Sequence, residues 1–177
     1  QKSIDGQTIT RWQQQAFYGA FNSLVKQQDN TALMEFWQQL TKKDKHNEVI
    51  VLAYCRVLAE NQINQPLAKL LLPILKKGAD TRLLASVRTL PITQADSLMA
   101  AAQKHLHSEP HNALWLSLVA HFATASQQWS LAEKAFNSLV NLEGKPYDKV
   151  DLLAFSQVLE QQGQLDKANQ VLRKIHA

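Results

Sequence analysis

Apolar residues along this chain return every three or four positions, not every second one. The stretches "VIVLAYCRVLAE" (49–60), "NALWLSLVAHF" (112–122) and "VDLLAFSQVLE" (150–160) show this spacing most clearly. A return of that length keeps the apolar side chains on one side of a helix, whereas a half-buried strand needs strict alternation. Leu and Ala dominate the apolar set, and Gln is abundant between them, which is a helix-forming vocabulary. The pattern predicts an all-α chain.

The helices come in pairs. Trp115, Leu118, Val119 and Phe122 stand at the spacing W-x2-L-x-x2-F, and Ala132 and Phe136 follow as A-x3-F. This is the tetratricopeptide pattern, with Val119 where glycine is usual and one extra residue in the turn "TASQQW". The first group lines one face of a helix A, the small Ala132 lets a helix B approach, and Phe136 fills the groove between them. The same frame fits Leu152, Phe155, Ser156 and Leu159, the turn "GQLDKA", then Ala168 and Leu172. It also fits Val51, Tyr54, Cys55 and Leu58, the turn "ENQINQP", then Ala68 and Leu72. Between these lies a degenerate unit, "DTRLLASVRTLPITQADSLMAAAQKHLHSEP", whose first helix Pro91 cuts short after Leu90. Its second helix, over about 94–107, carries Leu98, Met99, Ala102 and Leu106 on one face. Nearer the N-terminus, "WQQQAFYGAFNSLVKQ", a turn at "QDN" and "ALMEFWQQLTKK" form a further pair, with Asp29 or Asn30 as N-cap of the second helix. The expectation is a tetratricopeptide-like right-handed superhelix of about four to five helix pairs, forming one domain over residues 1–177.

In such a stack the A helices line a concave face, and the residue after the Trp-like position points into it, as does the residue four further on. Those residues are Leu52 with Arg56, Leu116 with Ala120, and Leu153 with Gln157; Thr124 and Glu160 extend the surface. Three leucines bordered by Arg56 and polar groups suit an extended peptide or a helix of a protein partner.

Composition narrows the chemistry. The chain has 177 residues, is 45% hydrophobic and has only five Gly and five Pro, so it can bury a core with few, short turns. Cys55 is the only cysteine, which excludes an intramolecular disulfide and a thiolate-built zinc site; on its apolar stripe it reads as a small core side chain. The net charge of +4 is modest. Basic residues gather in "TKKDKH", "LKKG" and "LRKIHA" without interleaved aromatics, which reads as solvated helix ends, not a nucleic-acid groove. No apolar run approaches the ~20 residues that span a bilayer. The opening "QKSIDGQTITRWQQQ" lacks a signal-peptide pattern and reads as part of a longer chain.

One stretch invites a metal or haem. "HLHSEPH" sets His105, His107 and His111 within seven positions, and imidazole is the commonest protein metal ligand. Yet His105 and His107 fall on the last turn of one helix, Pro110 sits where such repeats close, and His111 precedes the next helix. That placement favours a histidine-rich helix end, suited to the helix dipole. There is no C-x-x-C-H for covalent haem, and no metal site is assigned. Catalytic motifs are equally missing: there is no G-x-S-x-G, no H-E-x-x-H, no phosphate-binding glycine loop and no carboxylate cluster. The acidic residues read as dispersed and mostly exposed, and His121 as a packing residue. The chain is expected not to be an enzyme.

The order of these elements resembles one family. "ALMEFWQQLTKKDKHNEVIVLAYCRVLAENQINQPLAKLLLPILKKG" followed by "TRLLASVRTLPITQADSLMAAAQKHLHSEPHNALWLSLVAHFATASQQWSLAEKAF" is similar to the C-terminal tetratricopeptide domain of HemY proteins. The likeness covers roughly residues 10–175, including the cut-down middle unit. It implies an inner-membrane protein of a Gram-negative bacterium, anchored by two N-terminal transmembrane helices outside this sequence, with this domain on the cytoplasmic face. It also implies a scaffold for enzymes of a late step of protohaem biosynthesis, without catalytic residues and without a resident cofactor. The alternative is direct handling of haem or porphyrin, with Arg56 or Arg82 pairing with propionates and a histidine of 105–111 approaching iron. A further alternative is a generic tetratricopeptide adaptor of another envelope complex.

Overall fold

The computed structural model describes residues 6–26 and 29–175. Among them every regular element is a helix: α1 (Gly6–Ser23), α2 (Thr31–Gln39), α3 (Lys42–Lys45), α4 (Glu48–Glu60), α5 (Asn64–Lys77), α6 (Thr81–Val87), α7 (Asp96–Ser108), α8 (Ala113–Ala125), α9 (Trp129–Val140), α10 (Lys149–Gln161) and α11 (Leu165–Arg173). They form two compact units, Gln1–Ile63 and Asn64–Ala177. The pair expected over 51–72 therefore has α4 in the first unit and α5 in the second.

Side-chain caps set the starts of several helices, because the first backbone N–H groups of a helix have no partner of their own. Asn47 accepts from the N–H of Val49, Asp80 from Leu83, and Asn112 from Leu114 and Trp115. Asp148 caps α10 in a reciprocal box with Asp151. At α2 it is Asp29, one residue ahead of the cap position, whose carboxylate accepts from the N–H and hydroxyl of Thr31, while Asn30 makes no such bond. The helix expected through "ALMEFWQQLTKK" is broken. Leu40 is extended, and Thr41 restarts the chain as α3 by accepting from the N–H of Asp44.

In the first unit α4 packs on α1 and on α3. An aromatic cluster caps its aliphatic core: Phe21, fully buried, touches Phe17, Phe36, Trp37 and Tyr54, and Trp37 lies flat on Tyr54 with ring centroids 4.2 Å apart. Cys55 is fully buried, and burial pushes its thiol up to about 12. It is a core side chain and not a nucleophile.

The second unit is centred on α8, which packs against α6, α7, α9 and α10. Helix α10 packs in turn on α9 and α11. At the two crossings sit the alanines of the repeat frame, Ala132 and Ala168, both buried. Replacing Ala132 with leucine is expected to destabilise by about 1–3 kcal/mol through overpacking, read as a lower urea midpoint at unchanged slope.

Three turns close in the same way. After α4, α8 and α10 the chain passes through a left-handed residue, Gln62 at φ 57°, Gln127 at φ 56° and Gly163 at φ 73°. The next residue then donates its N–H back along the helix: Ile63 to Leu58, Gln128 to Ala123 and Gln164 to Leu159, at 2.8, 2.8 and 2.9 Å. This closure satisfies carbonyls that the helix end leaves open, and its left-handed residue is glycine by preference. Gln127→Gly is expected to stabilise by about 0.5–1 kcal/mol, the relief of a side chain at positive φ less the backbone entropy of glycine. Thermal unfolding of the two proteins checks it.

Candidate functional site

The residues expected to line a concave face do not share one environment. Leu116 and Ala120 are buried, and this corrects the expectation that they meet a partner. The reason lies in α8 itself, where eight of its residues are buried from Trp115 to Ala123. Helices α6, α7, α9 and α10 all pack on it and cover this run. Thr124 is half-buried and turns its hydroxyl onto the Ala120 carbonyl at 2.8 Å. On α10 the corresponding positions are open: Leu153 is 41% exposed, Val150 lies one turn before it at 37%, and Gln157 and Glu160 are exposed beyond it. Leu52 and Arg56 are half-buried on α4 in the other unit.

The histidine cluster is not gathered into a site. His105 turns inward: its Nε2 hydrogen-bonds the Leu75 carbonyl at 2.8 Å, and its ring stacks on Trp115 with centroids 4.1 Å apart and planes 6° from parallel. A carbonyl only accepts, so Nε2 carries the proton and is not available as a ligand atom. Gly78 covers the same pair. At φ +63° a β-carbon there would stand 2.9 Å from His105 Cε1 and 3.0 Å from Trp115 Cζ2. His105 thus joins α5 to α7 and α8. His107 and His111 are exposed, and so is Arg82 on α6. Among the described residues no group of three or more His, Cys, Asp or Glu is placed to hold a metal ion.

The most polar interior site lies elsewhere. Asp151, in the first turn of α10, is 1% exposed, which the reading of dispersed, mostly exposed acids did not foresee. Its Oδ1 accepts from the Ser117 hydroxyl at 2.6 Å, from His121 Nε2 at 3.0 Å and from Arg88 Nη1 at 2.7 Å. Its Oδ2 accepts the backbone N–H of Asp148 at 3.1 Å. Arg88, just past the end of α6, also donates to Ser117 at 3.3 Å and pairs through both terminal nitrogens with the Asp148 carboxylate. The set joins α6, α8 and the start of α10. A serine, a histidine and an aspartate meet here, but the serine gives its proton to the aspartate and not to the imidazole. A nucleophile needs a base that accepts its proton, so this arrangement leaves Ser117 unactivated.

Desolvation alone pushes the Asp151 carboxyl up. Hydrogen bonds from His121, Ser117 and the Asp148 N–H, with the Arg88 charge, outweigh it and hold the group well below the ordinary carboxylate range. For Arg88, burial works against the charge, and Asp148 and Asp151 together raise its pKa. A carboxyl whose folded pKa is depressed contributes stability that is complete above its unfolded value near 4 and is lost as pH falls towards the folded value. The urea midpoint is expected to drop between about pH 5 and pH 2, and Asp151→Asn should flatten that part of the profile.

No family profile, no curated protein and no solved structure matches this chain.

Proposed function

We propose that this chain is a non-catalytic protein-interaction scaffold of the tetratricopeptide kind, resembling the C-terminal domain of HemY. The observation that carries the reading is the recurrence of one turn closure after α4, α8 and α10, with a buried alanine on the helix that follows in the last two cases. A repeated unit of this kind cannot bury its apolar face alone, and stacking its copies yields extended surfaces that hold polypeptides. Under this reading the domain works on the cytoplasmic face of a Gram-negative inner membrane, tethered by an N-terminal anchor, and holds an enzyme of a late step of protohaem synthesis. The open row Val150, Leu153 and Gln157 on α10 is one contact surface.

A photo-crosslinking residue at position 153, with another at position 170 on α11 as control, tests it in cells. Position 153 is expected to capture a haem-biosynthetic enzyme and position 170 to capture none. Equal capture from both positions, or none from either, would overturn the assignment.

A further inference from the structure

The first unit holds a second polar feature. A cleft of about 380 Å³ opens along the seam of α1 and α4, lined by Gln14, Gln15 and Tyr18 from one helix and Ala53, Arg56 and Glu60 from the other. Ala53 is buried, and its short side chain gives the cleft depth. Arg56 and Glu60 stand four apart on α4, the spacing at which opposite charges on a helix meet. They do not pair. Glu60 Oε2 instead accepts the Tyr18 hydroxyl at 2.6 Å, and among the described residues Arg56 forms no ion pair. The bond to Glu60 raises the Tyr18 pKa above its ordinary value, and the phenol is the donor in this bond. The Tyr18 bond holds Glu60 at one end of the cleft, and the Arg56 guanidinium, with its five donors, lines the cleft without a carboxylate paired to it among the described residues.

That chemistry selects a ligand. A guanidinium fork fits a carboxylate in two parallel hydrogen bonds, and glutamine amides both donate and accept, as a peptide backbone requires. Glu60 bars a second acid from the Tyr18 end. We propose that this cleft takes one Asp or Glu side chain of a partner polypeptide, forked by Arg56, with the backbone around it met by Gln14 and Gln15. The assignment rests on the scaffold reading and names the kind of segment the scaffold holds at this place.

The test is a titration of the isotopically labelled chain, followed by NMR, with a Gly-Ser peptide carrying one central Glu and with its Gln counterpart. The Glu peptide is expected to move the Arg56 side-chain signal and the Ala53 amide saturably, with at least about tenfold tighter binding than the Gln peptide, an advantage that salt reduces. Arg56→Gln should abolish the preference. Tyr18→Phe should weaken it several-fold, because Glu60 is then released to pair with Arg56. Equal binding of both peptides overturns the proposal, as does an undiminished preference in Arg56→Gln. Saturable binding at the α10 row alone overturns the cleft but leaves the scaffold standing. Mesoporphyrin moving the cleft signals where the Glu peptide does not would also overturn it, and would assign the guanidinium to a propionate.

Discussion

Replacing Asp151 with alanine is expected to cost about 3–5 kcal/mol, the usual penalty for removing one partner of a buried, hydrogen-bonded charge. The loss is not one contact. Arg88, Ser117 and His121 all donate to this single carboxylate; without it Ser117 and His121 lose their acceptor, and Arg88 keeps only the half-exposed Asp148 as its counter-charge. The melting temperature should fall on the order of 10 °C. Asp151→Asn should cost less, because the amide oxygen still accepts. A double-mutant cycle between Asp151 and Arg88 should show strong coupling, since both belong to one network. The same physics sets a contrast. Replacing Arg88, His121 and Asp151 together by apolar residues of similar volume should cost much less than Asp151→Ala alone, because the ion pair repays little more than its own desolvation. The network thus sets the register of α10 on α8 more than it adds stability. It also sits one residue from the exposed Val150 and two from Leu153.

The second large effect is expected at Phe136. Its ring is fully buried on α9, meets His121 edge-on at 5.3 Å and lies against Phe155 of α10 at 5.4 Å. It therefore touches the A helices of two successive pairs. Phe136→Ala should cost about 3–5 kcal/mol, from lost burial and from a cavity that three rigid helices cannot close. Because the ring abuts His121, the loss should couple to the Asp151 network: Phe136→Ala and Asp151→Ala together should destabilise by less than their sum. Chemical denaturation of the two single variants and the double variant measures this. Strict additivity would mean that the aromatic and ionic contacts act on α10 independently.

Much of the local structure was legible in the sequence because local chemistry decides it. The last turn of α7 carries His105 and His107, and α8 begins two residues after His111, as the caps and Pro110 indicate; α6 ends at Val87, three residues short of the Leu90 expected from Pro91. The break at Leu40–Thr41 was also there to be read, in a threonine followed three residues later by Asp44, but the apolar spacing on either side hid it. The candidate site was less legible. "NALWLSLVAHF" is apolar on every side but the one that carries Ser117 and His121, and that should have argued against an open groove at Leu116 and Ala120. The network could not be read at all. Asp148 and Asp151 look like an ordinary helix start, and Arg88 lies 60 residues from Asp148, so only the packing of α6 and α10 on α8 brings their charges together. The setting of His105 was hidden for a related reason: its partners Leu75, Gly78 and Trp115 come from two other helices and a turn.

The central claim is that this chain holds a protein, and titrating it with each purified enzyme of the last steps of protohaem synthesis tests that most directly. Haemin is titrated in parallel. The expected result is saturable one-to-one binding to one enzyme with a Kd in the micromolar range, weakened at least tenfold by Leu153→Glu, while haemin binds weakly and without saturation. Saturable one-site binding of haemin, lost when His105, His107 and His111 are replaced by alanine and unaccompanied by binding to any enzyme, would contradict it.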